Sequence, residues 1–311
     1  MVINVRKKSG VKRGGKMLSD EAMVNHIIEV AKNDDQVRLV MLNGSRVNPQ
    51  AKVDLCSDYD IVFFVKNYNE AIKKDYSKKF NDIMLLHTSD DMVYLKDDRK
   101  EVFIFQMLFA DKHRLDLSLR PIERLNHYIE TEPVYKVLFD KDAVSIPKLQ
   151  QKVSQYIVKK PSFKLFESCV KTFVWLEPYV AKGLYRNEPI YALKHITLLR
   201  EAFETMLKWK MGVQTDFGKI MGKAMKHMRY YLGEETYNMY LKTYCSGDLK
   251  TIWNTLFFIH DKFLKTAQSV GKDLGYEVDF TSFDAMRKYL REIKGLAMSN
   301  KPYNDFESMV G

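Results

Sequence analysis

The sequence predicts a two-domain α/β protein, with an N-terminal mixed sheet and flanking helices followed by a C-terminal helical bundle. Three observations predict it. Apolar, β-prone runs recur between residues 37 and 119. Segments with helical spacing fill most of the chain from 162 to 270. The 311 residues are enough for two domains, and 46% apolar with 29% charged residues matches a chain with a substantial core. That composition excludes a disordered or collagen-like chain. No run of 18 apolar residues is present, so no transmembrane helix is predicted. The N-terminus carries charge without an apolar core segment and does not read as a secretory signal.

The elements follow in order. Residues 19 to 32 read as a helix, with Ser19 as N-cap and Met23, Ile27, Ile28 and Ala31 on one face. Val37 to Leu42 reads as a buried strand, broken by Asn43-Gly44-Ser45, and a polar loop runs on to Ser57. Tyr59 to Val65 is a second strand. Residues 68 to 80 suggest a short basic helix, and Ile83 to Leu86 a short strand. Val102 to Ala110 and Arg114 to Leu119 read as paired strands joined by Asp111-Lys112-His113, with Pro121 ending strand character. Helices are expected at 162–183, 188–211, 217–231, 234–245 and 249–270, with Pro161 and Pro189 near two helix starts. These features divide the chain into a basic leader (1–16), a first domain (17–150), a helical domain (151–290) and a C-terminal tail (291–311).

The formal net charge is +10, and six Lys or Arg residues without an acid lie in the leader. Two readings of the leader remain open: a disordered segment, which its lack of aromatics and helical period favours, or an arm for nucleic acid. Three cysteines, Cys56, Cys169 and Cys245, are too far apart for a zinc motif and odd in number. Free thiols in a cytoplasmic protein are the simplest expectation. No interface signal fixes an oligomeric state.

Residues 42 to 65 carry the chemistry. Gly44-Ser45 is followed by twelve residues and then Asp58-Tyr59-Asp60, which enters the strand Ile61 to Val65. Residues i and i+2 of a strand share a face, so Asp58 and Asp60 project together. Adjacent carboxylates repel unless a cation neutralises them, and an oxygen-only pair suits Mg²⁺, which also binds phosphates. A Gly-Ser turn after a strand lets backbone N–H groups approach a triphosphate. Asp116 alternates with Leu115 and Leu117 and faces away from them; beside the Asp58/Asp60 strand it makes a third carboxylate. Either Asp element alone also reads as solvated strand surface, but the ordered set does not.

This order resembles the DNA polymerase β-like nucleotidyltransferase superfamily. Within it, Gly44-Ser45-Arg46 with Asn48, Asp58-Tyr59-Asp60-Ile61, Leu115-Asp116-Leu117 with Pro121-Ile122, and Asp140-Lys141-Asp142 resemble the aminoglycoside 6-adenylyltransferase (streptomycin adenylyltransferase) family. Lys159-Lys160-Pro161-Ser162, Lys182-Gly183-Leu184, Arg186-Asn187-Glu188 and Gly222-Lys223 with Lys226 extend the resemblance over about residues 20 to 270.

The resemblance implies an N-terminal nucleotidyltransferase domain and transfer of AMP from ATP to an aminoglycoside hydroxyl, with pyrophosphate released. It implies Mg²⁺ on Asp58 and Asp60, and Asp116 as general base or further metal ligand. It places Gly44, Ser45, Arg46, Lys223 and Lys226 on the nucleotide, the two lysines three apart on one helix face. It places Glu167, Trp175 and Glu188 on the drug. The family usually carries Glu at positions 43 and 172 and Asp at position 194, where this chain has Asn43, Thr172 and Lys194. The expected partners are ATP and a small-molecule antibiotic, streptomycin-like first, without membrane or nucleic acid. The alternatives are another hydroxylated acceptor such as a lincosamide, or a non-catalytic nucleotide- or nucleic-acid-binding protein.

Overall fold

The computed structural model describes residues 19–49, 51–92, 101–152 and 157–299. The leader 1–16 lies outside the described residues. The chain divides into two compact units, Met1–Gln155 and Tyr156–Gly311. The fold is mixed α/β, with a seven-stranded sheet in the first unit and helices in the second.

In the first unit, helix α1 (Asp20–Lys32) starts where Ser19 accepts a hydrogen bond from the Ala22 N–H at 3.2 Å. Strands β1 (Val37–Asn43), β2 (Tyr59–Val65), β3 (Ile83–Thr88), β4 (Phe103–Phe109), β5 (Arg114–Pro121), β6 (Val134–Asp140) and β7 (Leu149–Gln151) form one sheet of order β3-β4-β5-β2-β1-β6-β7. Only β2 and β5 run parallel; the other neighbours are antiparallel. Alternation divides the residues between two faces. Tyr59, Ile61, Phe63, Leu115, Leu117 and Leu119 pack with Met23 and Ile27 of α1. Val62, Phe64, Leu39 and Met41 pack on the other face with Leu125 and Tyr128 of α3 (Leu125–Thr131).

The basic segment 68–80 is not one helix. It divides into α2 (Tyr68–Ala71) and a 3₁₀ turn at Tyr76–Lys79. Asn67 caps the first through the Glu70 N–H and Asp75 caps the second through the Ser77 N–H, so each carboxyl or amide side chain starts a turn of its own.

The second unit is built from α4 (Phe163–Tyr185), α5 (Pro189–Gln214), α6 (Met228–Leu241), α7 (Leu249–Leu274) and α8 (Thr281–Ser299). Ser162 caps α4, Pro189 opens α5, and Asp248 caps α7. Phe173, Phe263 and Phe283 stack in the core, the first two with ring centroids 3.7 Å apart. Because α8 buries Phe283 and Leu290, position 291 falls inside a packed helix and is not the start of a tail. The expected helix 217–231 is also absent as such. Gly222 at φ +78°, Ala224 at φ 50° and Met225 at φ 60° fold residues 222–226 into a tight turn, and α6 begins only at Met228 and breaks again at Gly233, φ +77°. Among the described residues no helix is long and apolar enough to cross a membrane.

A carboxyl–imidazole pair lies in this core. His260 Nδ1 is 2.8 Å from Glu177 Oε1, and both side chains are sealed from solvent. Burial pushes the Glu177 carboxyl above the usual carboxylate range, against the pull of His260. A raised folded-state value stabilises the fold fully below the ordinary carboxylate range and is lost as pH rises through the raised value. Glu177→Ala should cost about 1–3 kcal/mol by leaving the buried His260 Nδ1 without its partner. Glu177→Gln keeps an acceptor without the charge, and in thermal melts it should gain on wild type as pH is raised from 4 to 8. A pH-independent difference between the two would refute this.

Candidate active site

The candidate site begins at the C-terminal end of β1. The strand leads into a 3₁₀ turn at Gly44–Arg46, and Gly44 has φ +71°. A side chain at Gly44 would overlap the Asp60 carboxylate, with the carboxyl carbon only 3.0 Å from the added Cβ. The turn and the Asp60 carboxylate therefore fill one space that only glycine leaves free.

Asp60 is the register partner of Asp116 across the parallel β2/β5 pair, of Asn43 on β1, and Asp116 is the partner of Gln106 on β4. Gln106, Asp116, Asp60 and Asn43 thus form a row across four strands. They line a cleft of about 380 Å³ together with Gly44, Ser118, Arg120, Tyr128 and Glu132. Asn43 donates from Nδ2 to the Tyr128 hydroxyl, and its buried Oδ1 has no hydrogen-bond partner among the described residues. Arg120 lies over the Tyr128 ring, 4.9 Å from its centroid. Burial raises the Glu132 carboxyl above its usual range, so the far end of the cleft holds a desolvated acid.

Arg114 joins Asp58 to this row. It lies two residues before Asp116, on the same face of β5. Its Nε and Nη2 donate to the two Asp116 oxygens, each at 2.8 Å, in a bidentate fork. Its Nε is also 3.8 Å from Asp58 Oδ2. Burial pushes the Asp58 carboxyl up, Asp116 adds to the rise, and Arg114 and Arg46 oppose it. Gln106 Nε2 donates to Asp116 Oδ2 at 3.2 Å, and its Oε1 pairs with His87 Nδ1 at 3.0 Å. Among the described residues, no three carboxylate, histidine or cysteine side chains stand as a ready metal cluster. A guanidinium stands among the carboxylates instead.

Arg46 is placed differently from the expected phosphate contact. Its Nη2 donates to the Ser57 carbonyl at 2.8 Å and its Nε to the Asp58 carbonyl at 3.2 Å. Its Nη1 pairs with Asp20 at 3.0 Å, and the guanidinium lies 3.7 Å from the Tyr59 centroid. The Tyr59 hydroxyl donates to the same Asp20 at 2.6 Å, and this bond holds the Asp20 carboxyl below its usual range, with Arg46 assisting. Arg46 is thus engaged in fixing the loop that delivers Asp58. Ser45 lies in the 3₁₀ turn beside it.

The remaining expected residues belong to the second unit. Glu167 pairs with Lys171 at 2.8 Å on α4, and Trp175 is 72% exposed two turns further along that helix. Glu188 follows the end of α4, its N–H bonded to the Gly183 carbonyl at 2.8 Å, and Gly183 lies about 24 Å along the helix from Glu167 at 1.5 Å per residue, so the helix holds these two acids apart. Lys223 and Lys226 bracket the tight turn rather than sharing an α-helical face, and the Lys226 stem packs over Gly222.

Arg114, Gln106, Asp20 and Glu132 escaped the sequence reading. The available signals were a lone polar residue in the apolar run of β4 and an arginine at i−2 of the third acid.

A family model for streptomycin adenylyltransferase matches residues 17–293. The chain belongs to this family. It is therefore a nucleotidyltransferase of the streptomycin adenylyltransferase family. An aminoglycoside 6-adenylyltransferase of Bacillus subtilis (strain 168) is 31% identical over 264 residues, covering 84% of this chain and 93% of that protein. One from Campylobacter jejuni is 29% identical over 264 residues, covering 84% and 91%. A crystal structure of an aminoglycoside 6-adenyltransferase from Bacillus subtilis aligns over 89% of this chain and 99% of that one, at 28% identity and a TM-score of 0.44.

Proposed function

We propose that this family member transfers AMP from ATP to a hydroxyl of an aminoglycoside, streptomycin-like first, and releases pyrophosphate. The observation that carries the reading is the row of Asp60 and Asp116 with Asp58 beside the Gly44 turn. The donor set fits Mg²⁺: it consists of carboxylate oxygens, and one of them sits in a space that a Cβ would fill. Asp58 and Asp60 would hold the ion, which when bound neutralises triphosphate charge and polarises the α-phosphorus. The Gly44-Ser45 turn brings backbone close to the phosphates.

Asp116 takes the acceptor proton as the hydroxyl oxygen bonds to the α-phosphorus. The bond from that phosphorus to the β-phosphate oxygen breaks, and pyrophosphate leaves with the electron pair. Arg46 and Asp20 contribute by fixing Asp58. Lys223 and Lys226 are proposed phosphate contacts, and Glu167, Trp175 and Glu188 proposed drug contacts.

A second reading is favoured by the exposed Thr172 and Lys194, which stand where the family usually has acids. In it the acceptor is a less basic hydroxylated molecule such as a lincosamide.

The test is pyrophosphate release from Mg·ATP against a panel of aminoglycosides and lincosamides, with Asp58→Asn/Asp60→Asn as blank. Release with streptomycin is the expected result. Release with lincosamides alone selects the second reading, and silence throughout with ATP still bound overturns both.

A further inference from the structure

Two of the three carboxylates proposed to handle a metal and a hydroxyl proton are held by a side chain that neither task requires. Arg114 caps both oxygens of Asp116 and reaches towards Asp58, and its side chain remains 43% exposed. A bidentate guanidinium uses both lone-pair directions it faces, so Asp116 cannot accept a hydroxyl proton or ligate an ion through them while the fork is closed. Three carboxylates without a counter-charge would repel strongly. Arg114 therefore stabilises the nucleotide-free centre. It also opposes a free divalent ion, since the two cations compete for the same oxygens.

The geometry is that of an exchange. Gln106 is anchored by His87 and bonds Asp116 independently of Arg114, so Asp116 keeps its orientation when the fork opens. The guanidinium is partly solvent-exposed and sits on a long side chain, free to swing off β5. A triphosphate on the Gly44-Ser45 side brings anionic oxygens within the reach of such a side chain.

We infer that Arg114 is an exchangeable counter-ion: it occupies the carboxylate centre when nucleotide is absent, and it leaves Asp116 for the phosphates when a metal–nucleotide complex enters. The inference rests on the proposed carboxylate metal site. It gives the enzyme a reason to bind its metal with nucleotide rather than before it.

The test uses the full-length, nucleotide-free protein and Mn²⁺, with free ion counted by electron paramagnetic resonance. Arg114→Gln should bind Mn²⁺ about tenfold more tightly than wild type, because a competing charge within a few ångströms is gone. Arg114→Lys should fall between them, as a point charge without the fork. The same Arg114→Gln protein should bind Mn·pyrophosphate about tenfold more weakly. Opposite signs for the two ligands are not produced by general loss of structure. If Arg114→Gln binds Mn²⁺ no better than wild type while Asp60→Asn weakens it, the exchange is wrong and the metal site stands. If Asp60→Asn leaves Mn²⁺ binding unchanged as well, the metal site and the exchange both fall.

Discussion

Asp116→Asn should reduce turnover by about three orders of magnitude, the range that loss of a general base produces, while ATP binds within about threefold of wild type. The substitution is nearly isosteric, and Asp116 sits in a strand paired on both sides, so the backbone has no reason to move. What changes is chemical. Asparagine cannot accept the hydroxyl proton. It also presents one acceptor where the Arg114 fork uses two, so the amide NH2 must face an Arg114 donor in either orientation, and the Gln106 donor as well in one of them. Turnover near wild type would remove Asp116 from the base role. A parallel loss of Mn²⁺ or Mg·ATP affinity would instead assign it as a further metal ligand. Isothermal titration beside steady-state rates separates the two.

The parts of this site that were legible in the sequence are those set by backbone period. Asp60 and Asp116 come level and Asp116 opposes Leu115 and Leu117 because strands repeat every two residues, whereas Asp58 lies one residue before β2, in the loop that Arg46 fixes. Glycine before Ser45 announced a turn. Partner choice was not legible. Arg46 reads as a phosphate ligand from its place in Gly-Ser-Arg, yet Asp20, 26 residues before it, claims it through a contact that only folding makes. Arg114 reads as exposed polar alternation until β2 is known to lie beside β5. The errors in secondary structure have similar causes. Helical spacing around Lys223 and Lys226 loses to the left-handed Gly222 and Ala224, and β6 was hidden because Lys136 and Asp140 interrupt its apolar run. Helix α8 carries few buried residues, so its pattern is mostly polar although Phe283 anchors it in the core.

Gly44→Ala should cost activity far out of proportion to stability. Two penalties fall on the substitution. The first is conformational: φ +71° is the left-handed region, where a side chain costs about 1–2 kcal/mol. The second is spatial: the new methyl and the Asp60 carboxylate need the same volume. Asp60 is at the surface of a cleft, so it yields by rotating away from the turn, and the fold survives. A proposed metal ligand displaced by about 1 Å costs on the order of a hundredfold in rate, and displacement plus loss of the close backbone approach should exceed that. Gly275→Ala separates the two penalties. Gly275 has φ +72°, nearly the same φ, and nothing lies within 4 Å of an added Cβ. Both variants should lose melting temperature, because both place a side chain at positive φ. Only Gly44→Ala should lose kcat by more than about a hundredfold and Mn²⁺ affinity with it. Equal, small effects on activity would mean that Asp60 is not held against the turn in the working enzyme, and that the Gly44 turn shapes the backbone alone.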